Sequence, residues 1–204
     1  MKRLFLFLIL SLASIGTLKA QKKDTTTETV LYASIYTKVG VIEIELFEED
    51  APKTVKNFVE LSKKKYYNGV IFHRIAKGFV IQGGDPTGTG SGGQSIYGKE
   101  FEDELNPKTK SYQIGYKRGV VAMANRGPNT NTSQFFILLS DAPGLPKKYT
   151  IFGKVAKGMN VVDEIAKREI IPVLSSTDGR PKDPIAMDSI VVQRKIKIKN
   201  SIFD

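Results

Sequence analysis

Phe72-His73-Arg74-Ile75-Ala76-Lys77-Gly78-Phe79-Val80-Ile81-Gln82-Gly83-Gly84-Asp85 sets one guanidinium and one carboxamide among Phe72, Ile75, Phe79, Val80 and Ile81, and closes on two glycines and an acid. The pattern predicts two short strands, Ile71–Arg74 and Phe79–Gln82, joined by a turn at Lys77-Gly78. Across that turn Arg74 and Gln82 share a face, and a charged donor stands beside an apolar floor. A second stretch, Val120-Val121-Ala122-Met123-Ala124-Asn125-Arg126-Gly127-Pro128-Asn129-Thr130-Asn131-Thr132-Ser133-Gln134-Phe135-Phe136-Ile137, has the same texture of strand, polar turn and strand.

Taken together, FHRIAKGFVIQGGD and VAMANRGPNTNTSQFFI resemble the paired signatures of the cyclophilin family of peptidyl-prolyl cis/trans isomerases. The likeness continues through Ser95-Ile96-Tyr97-Gly98, Phe101-Glu102-Asp103-Glu104 and Phe152-Gly153-Lys154-Val155, and covers residues 32–193. It implies a mainly β fold: a closed eight-stranded antiparallel barrel capped by two α-helices. It also implies an active site lined by the residues matching Arg74, Phe79, Gln82, Ala124, Asn125, Gln134, Phe136 and Leu145, all of the family's residue type. Val80, Gly144, Tyr149 and Arg126 depart from the best-known eukaryotic pattern and look like bacterial members. Val80 stands for a methionine, Gly144 for a tryptophan, Tyr149 for a histidine and Arg126 for a small residue.

The chemistry makes sense without the name. Rotation about an Xaa-Pro bond meets a barrier of about 18–20 kcal/mol because the nitrogen lone pair is delocalised into the carbonyl. Uncatalysed it takes about tens to hundreds of seconds. Reaching about a millisecond requires lowering the barrier by about 6–7 kcal/mol. The site has only to favour a twisted amide, and no nucleophile, metal or cofactor is required. Arg74 is the candidate donor to the prolyl nitrogen. A charge-assisted bond is worth about 1.5–3 kcal/mol, so it needs help. Phe79, Val80, Phe136 and Leu145 are expected to hold the pyrrolidine ring, with Ala124 and Tyr149 beside them. The Asn125 backbone would pair with the peptide, while Gln82 and Gln134 orient Arg74 and the substrate carbonyl.

The remaining chain reads outward from this centre. Its 204 residues favour one domain with a sizeable core, and the absence of cysteine removes thiol chemistry and cysteine-based zinc sites. Lys2-Arg3, the apolar run Leu4 to Leu12 and Leu18-Lys19-Ala20 read as a signal peptide over residues 1–20, too short to span a bilayer. Export, most naturally to the periplasm, follows; secretion and tethering by an uncleaved signal are the alternatives. Residues 21–31 are polar and aperiodic and read as a flexible leader. Residues 32–193 form the isomerase domain, and 194–204 a basic tail whose Lys-Ile alternation prolongs an edge strand.

Subtracting Lys2, Arg3 and Lys19 from the net charge of +10 leaves +7. The lysines are scattered, so a solvated surface is the reading, not a nucleic-acid stripe. The expected partners are proline-containing unfolded or exported polypeptides, met by a monomer.

Between these landmarks, Ala33–Thr37 and Gly40–Phe47 read as a hairpin. Asp50 is placed to cap a helix beginning at Pro52, and Val161, Val162 and Ile165 mark a second helix. Gly83 to Gly93 contains a G-x-G-x-x-G match, but no helix follows it to receive a pyrophosphate, so it reads as a mobile surface loop. Ile171 to Pro184, with three prolines and Asp178-Gly179, reads as a long loop. His73 has no nucleophile–acid pair beside it and is read as a structural hydrogen-bonding residue. Asn131-Thr132-Ser133 is a formal glycosylation sequon of little weight.

Overall fold

The structure, a computed structural model, describes residues 25–200. The signal segment 1–20 and the first four leader residues lie outside them. The chain runs β1 (Thr25–Thr37), β2 (Gly40–Leu46), α1 (Pro52–Lys63), β3 (Phe72–Ala76), β4 (Val80–Gly83), α2 (Lys110–Ile114), β5 (Val120–Met123), β6 (Phe135–Leu138), β7 (Ile151–Lys157), α3 (Met159–Ala166), β8 (Ile170–Ser175), β9 (Asp178–Pro181) and β10 (Ser189–Asn200).

Alternation along the strands splits their side chains between two apolar clusters. Ile42, Ile44, Leu46, Ile75, Ile81, Val121, Phe135 and Ile137 point inward, where Phe58, Tyr67, Phe72 and Phe152 complete the main core. The intervening residues Val80, Ala122, Phe136 and Leu138 face the other way. With Tyr116 and Ile151 they build a smaller cluster, against which Phe79, Leu145 and Tyr149 pack. That outer cluster is the floor of the site.

The mainly β expectation holds, but the barrel needs correction. The strands form one antiparallel sheet of ten, in the order β10-β1-β2-β7-β5-β6-β4-β3-β9-β8, and the ladder is open instead of closed on eight. The two additional strands are β8 and β9, a hairpin formed where prolines predicted a loop. Pro172 is tolerated because β8 is an edge strand, where a missing N–H breaks no ladder. Backbone bonds from Gly69 to Met187 and from Phe72 to Ile185, at 2.8 and 2.9 Å, run from the start of β3 to the segment leading into β10.

The leader also needs correction, since its residues from Thr25 onward belong to β1 and pair with β10 as far as Asn200. The basic tail is likewise strand to that point. Lys195 and Lys197 reach over β1 to Glu43 and Glu45 of β2, and Arg194 forks onto Glu48 at 2.9 Å. The polar composition of both segments concealed a partner at the other end of the chain.

The two predicted helices form as α1 and α3, joined by the single turn of α2. Asp50 does not cap α1: its Oδ2 accepts from the Ser111 N–H at 2.7 Å. Instead the Glu104 carboxylate takes the first-turn N–H groups of Lys53 and Thr54 at 3.0 and 2.8 Å, the end of the dipole that favours an anion. Among the described residues no helix is long and apolar enough to cross a membrane.

Candidate active site

The turn between β3 and β4 folds as its sequence requires. Gly78 takes φ 73°, a left-handed conformation that glycine adopts without strain. The register then sets Arg74 opposite Gln82, and Gln82 opposite Phe136. Arg74, Phe79, Val80, Gln82, Ala124, Asn125, Phe136, Leu145 and Tyr149 line one cavity of about 180 Å³. A single water needs only about 10–15 Å³ of such space, so the cavity has room for a group much larger than water. Of the ten residues expected at the site, nine line this cavity. The tenth, Gln134, lines the adjoining one and touches Gln82.

Polar groups run through the site as one chain of hydrogen bonds. Arg74 Nη1 donates to Gln82 Oε1 at 2.9 Å, and Gln82 Nε2 donates to Gln134 Oε1 at 3.0 Å. Gln134 Nε2 donates to the carbonyls of Gly90 and Gly92 at 3.0 and 2.7 Å. The glycine loop is therefore an anchor instead of a mobile segment.

Asp85 holds that loop. Its fully buried carboxylate accepts from the Thr87 N–H and hydroxyl, both at 2.8 Å, and from the N–H groups of Gly90 and Gly92. Burial raises its pKa, but the bonds from Thr87, Gly92 and Gly90 together outweigh burial and bring it down to about 2.

The apolar wall is set by rings. Phe136 meets Tyr149 edge-on at 5.5 Å, a T-shaped contact that fixes the two rings against each other. Tyr116, missed in the sequence, fixes Tyr149 by donating its hydroxyl to the Tyr149 carbonyl at 2.9 Å and accepting from its N–H at 3.0 Å. As neighbours on one strand, Phe135 and Phe136 face opposite sides, one to the core and one to the cavity. Asn125 Nδ2 donates to the Lys148 carbonyl at 2.8 Å, tying two cavity-wall segments together. After the Ala124 N–H bonds the Gln134 carbonyl, the ladder stops short of the Asn125 backbone.

Two sequence readings change here, those of His73 and Asp178, and the little weight given to the sequon is borne out. His73 is buried, but neither ring nitrogen has a hydrogen-bond partner among the described residues, so its expected bonding role is not seen. Asn131 is fully buried and gives its amide to Phe101 O and Asp103, which removes the sequon as a modification site. Asp178, read as part of a long loop, reaches Arg74: its Oδ1 accepts from Nε at 2.9 Å and its Oδ2 from Nη2 at 2.6 Å. In the sequence Asp178 stands only beside Gly179 in a proline-rich stretch, and nothing local there signals a distant arginine. Among the described residues no cluster of His, Asp and Glu is placed to hold a metal ion.

The family described as "Cyclophilin type peptidyl-prolyl cis-trans isomerase/CLD" matches residues 32–192. "Peptidyl-prolyl cis-trans isomerase-like 1" of Mus musculus is 51% identical over 149 residues, 73% of this chain and 84% of that protein. "Peptidyl-prolyl cis-trans isomerase-like 3" of Homo sapiens is 50% identical over 159 residues, 78% of this chain and 94% of that protein. A crystal structure of a cyclophilin type peptidyl-prolyl cis-trans isomerase from Cryptosporidium parvum superposes with a TM-score of 0.72 at 42% identity, over 80% of this chain and 98% of that one. A second structure of it, in the presence of the dipeptide Ala-Pro, gives 0.71 at 43% identity, over 79% of this chain and 98% of that one. The pocket lies within the matched residues, and the chain belongs to the cyclophilin-type peptidyl-prolyl cis-trans isomerases.

Proposed function

We propose that the enzyme rotates Xaa-Pro bonds of unfolded polypeptides by donation from Arg74 to the prolyl nitrogen, above a hollow that holds the ring. The observation that carries this reading is the placement of Arg74 and Gln82, bonded to each other, on the wall of a cavity whose other walls are Phe79, Val80, Phe136 and Leu145. A donor aimed at the nitrogen localises its lone pair only when the amide twists, so it favours the transition state over either planar form. The apolar wall holds the ring and excludes water, and the Asn125 backbone pairs with the peptide on the side that does not rotate. The dipeptide in the related structure contains the same proline unit.

The client class is proline-containing chains undergoing folding, met by a monomer without nucleic acid. Several basic side chains support that reading, because they are paired with carboxylates at the surface. Export rests on residues 1–20 alone, and the likeness to bacterial members on Val80, Arg126, Gly144 and Tyr149. The test is turnover of an Xaa-Pro tetrapeptide by wild type and Arg74→Ala, with N-terminal sequencing of the expressed protein. Equal turnover removes Arg74 from the mechanism, and an intact Met1 end removes cleavage.

A further inference from the structure

Arg74 carries five N–H donors in a planar fork, and three of them are engaged: Nε and one on Nη2 by Asp178, one on Nη1 by Gln82. Two carboxylate oxygens on two nitrogens fix the guanidinium plane, which a single contact to Gln82 leaves free to turn. One N–H on each terminal nitrogen remains for substrate. We propose that Asp178 is the positioning residue for Arg74, holding it in the orientation that presents those two groups to the prolyl bond. The proposal rests on the donor role given to Arg74 above.

The topology explains how a residue 104 positions away arrives there. Asp178 is the register partner of Ala76 across β3 and β9, and Ala76 lies two residues from Arg74 on the same face of β3. The hairpin is latched at this point. The Lys77 N–H bonds the Thr177 carbonyl at 2.8 Å, and Lys77 Nζ bonds the Ala166 and Arg168 carbonyls at 2.7 and 2.6 Å. Asp178 therefore stands at one end of the chain of bonds that passes through Arg74, Gln82 and Gln134 to the loop held by Asp85. The guanidinium is fixed from both sides.

The hairpin buries little. Ile171, Val173 and Leu174 are 54%, 61% and 71% exposed, so removing the Asp178 carboxylate empties no core. A structural ion pair and a positioning pair then give different results. The experiment measures kcat and KM on an Xaa-Pro tetrapeptide for Asp178→Ala and Asp178→Asn, in the wild-type and Arg74→Ala backgrounds. Asp178→Ala is expected to lower kcat about ten- to a hundredfold with KM unchanged, the scale of a misaligned catalytic group. Asp178→Asn, which keeps one acceptor, recovers part of the loss, and in Arg74→Ala the substitution is silent. An equal loss in both backgrounds, or no loss in the first, overturns the proposal.

A nitrogen-edited NMR spectrum supplies a readout independent of turnover. The Arg74 Nε–H resonance should be separate and slow to exchange in wild type and join the exposed arginines in Asp178→Ala; an unchanged resonance overturns the proposal. An inactive wild type with this resonance shift would sink the isomerase mechanism while leaving the Asp178 clamp standing.

Discussion

Arg74 and Gln82 face each other across the β3–β4 ladder, and the carboxamide oxygen of one accepts from the guanidinium of the other at 2.9 Å. Replacing Arg74 by alanine removes a charge-assisted bond worth about 1.5–3 kcal/mol. The kcat/KM for an Xaa-Pro peptide should fall about ten- to a hundredfold. The melting temperature should fall only modestly, because the main core stays filled although the Asp178 carboxylate loses its partner.

Leu145 and Phe136 test the hollow differently. Leu145 is partly buried at the cavity wall, so Leu145→Ala should cost about tenfold in kcat/KM with little change in stability. Phe136 is 6% exposed and belongs to the outer cluster. Its truncation should also destabilise the fold by about 3–5 kcal/mol, readable by chemical denaturation.

Asp85 makes the fold sensitive to acid. Its folded pKa of about 2 lies below the ordinary 3.8, so its contribution is full above 3.8 and is lost as pH falls through 2. That contribution is about 2 kcal/mol. Asp85→Asn should be less stable than wild type at neutral pH and should lack this loss, as denaturation midpoints across the window will read.

His73 acts at milder pH. Burial, the larger cause, and the nearby Arg74 and Arg180 lower its pKa below 6.5, against the opposing pull of Asp85. The unfolded chain then takes the proton first, so stability is full above 6.5 and declines as pH falls below it. His73→Leu also removes two unpartnered buried nitrogens. It should therefore flatten stability between about pH 7.5 and 5, measured by urea denaturation at both ends.

Much of the site was legible because eight of its ten expected residues sit in two strand–turn–strand segments, while Leu145 and Tyr149, outside them, were placed by the family resemblance. Arg74 and Gln82 could be placed on one face by counting, and Phe136 by the residue it matches in the family. Asp178 could not, since its role depends on β9 pairing with β3, and the prolines around it argued for a loop. The strands at the two ends were hidden for a related reason. Thr25–Val30 and Lys195–Asn200 are strand by virtue of each other, and the glutamates of β2 neutralise lysines that looked like a solvated tail. The Asp50 cap failed because Glu104, a stronger acceptor for this helix end, arrives from a distant loop.

The pairing of β1 with β10 at twelve positions has a consequence for the order of assembly. A polypeptide made from its N-terminus exposes β1 long before β10 leaves the ribosome, and β2 can cover only one of its edges. Completion of the sheet thus waits for the far end of the chain. Until β10 emerges, such an enzyme passes through a stage with a bare strand edge, when it is itself in need of protection.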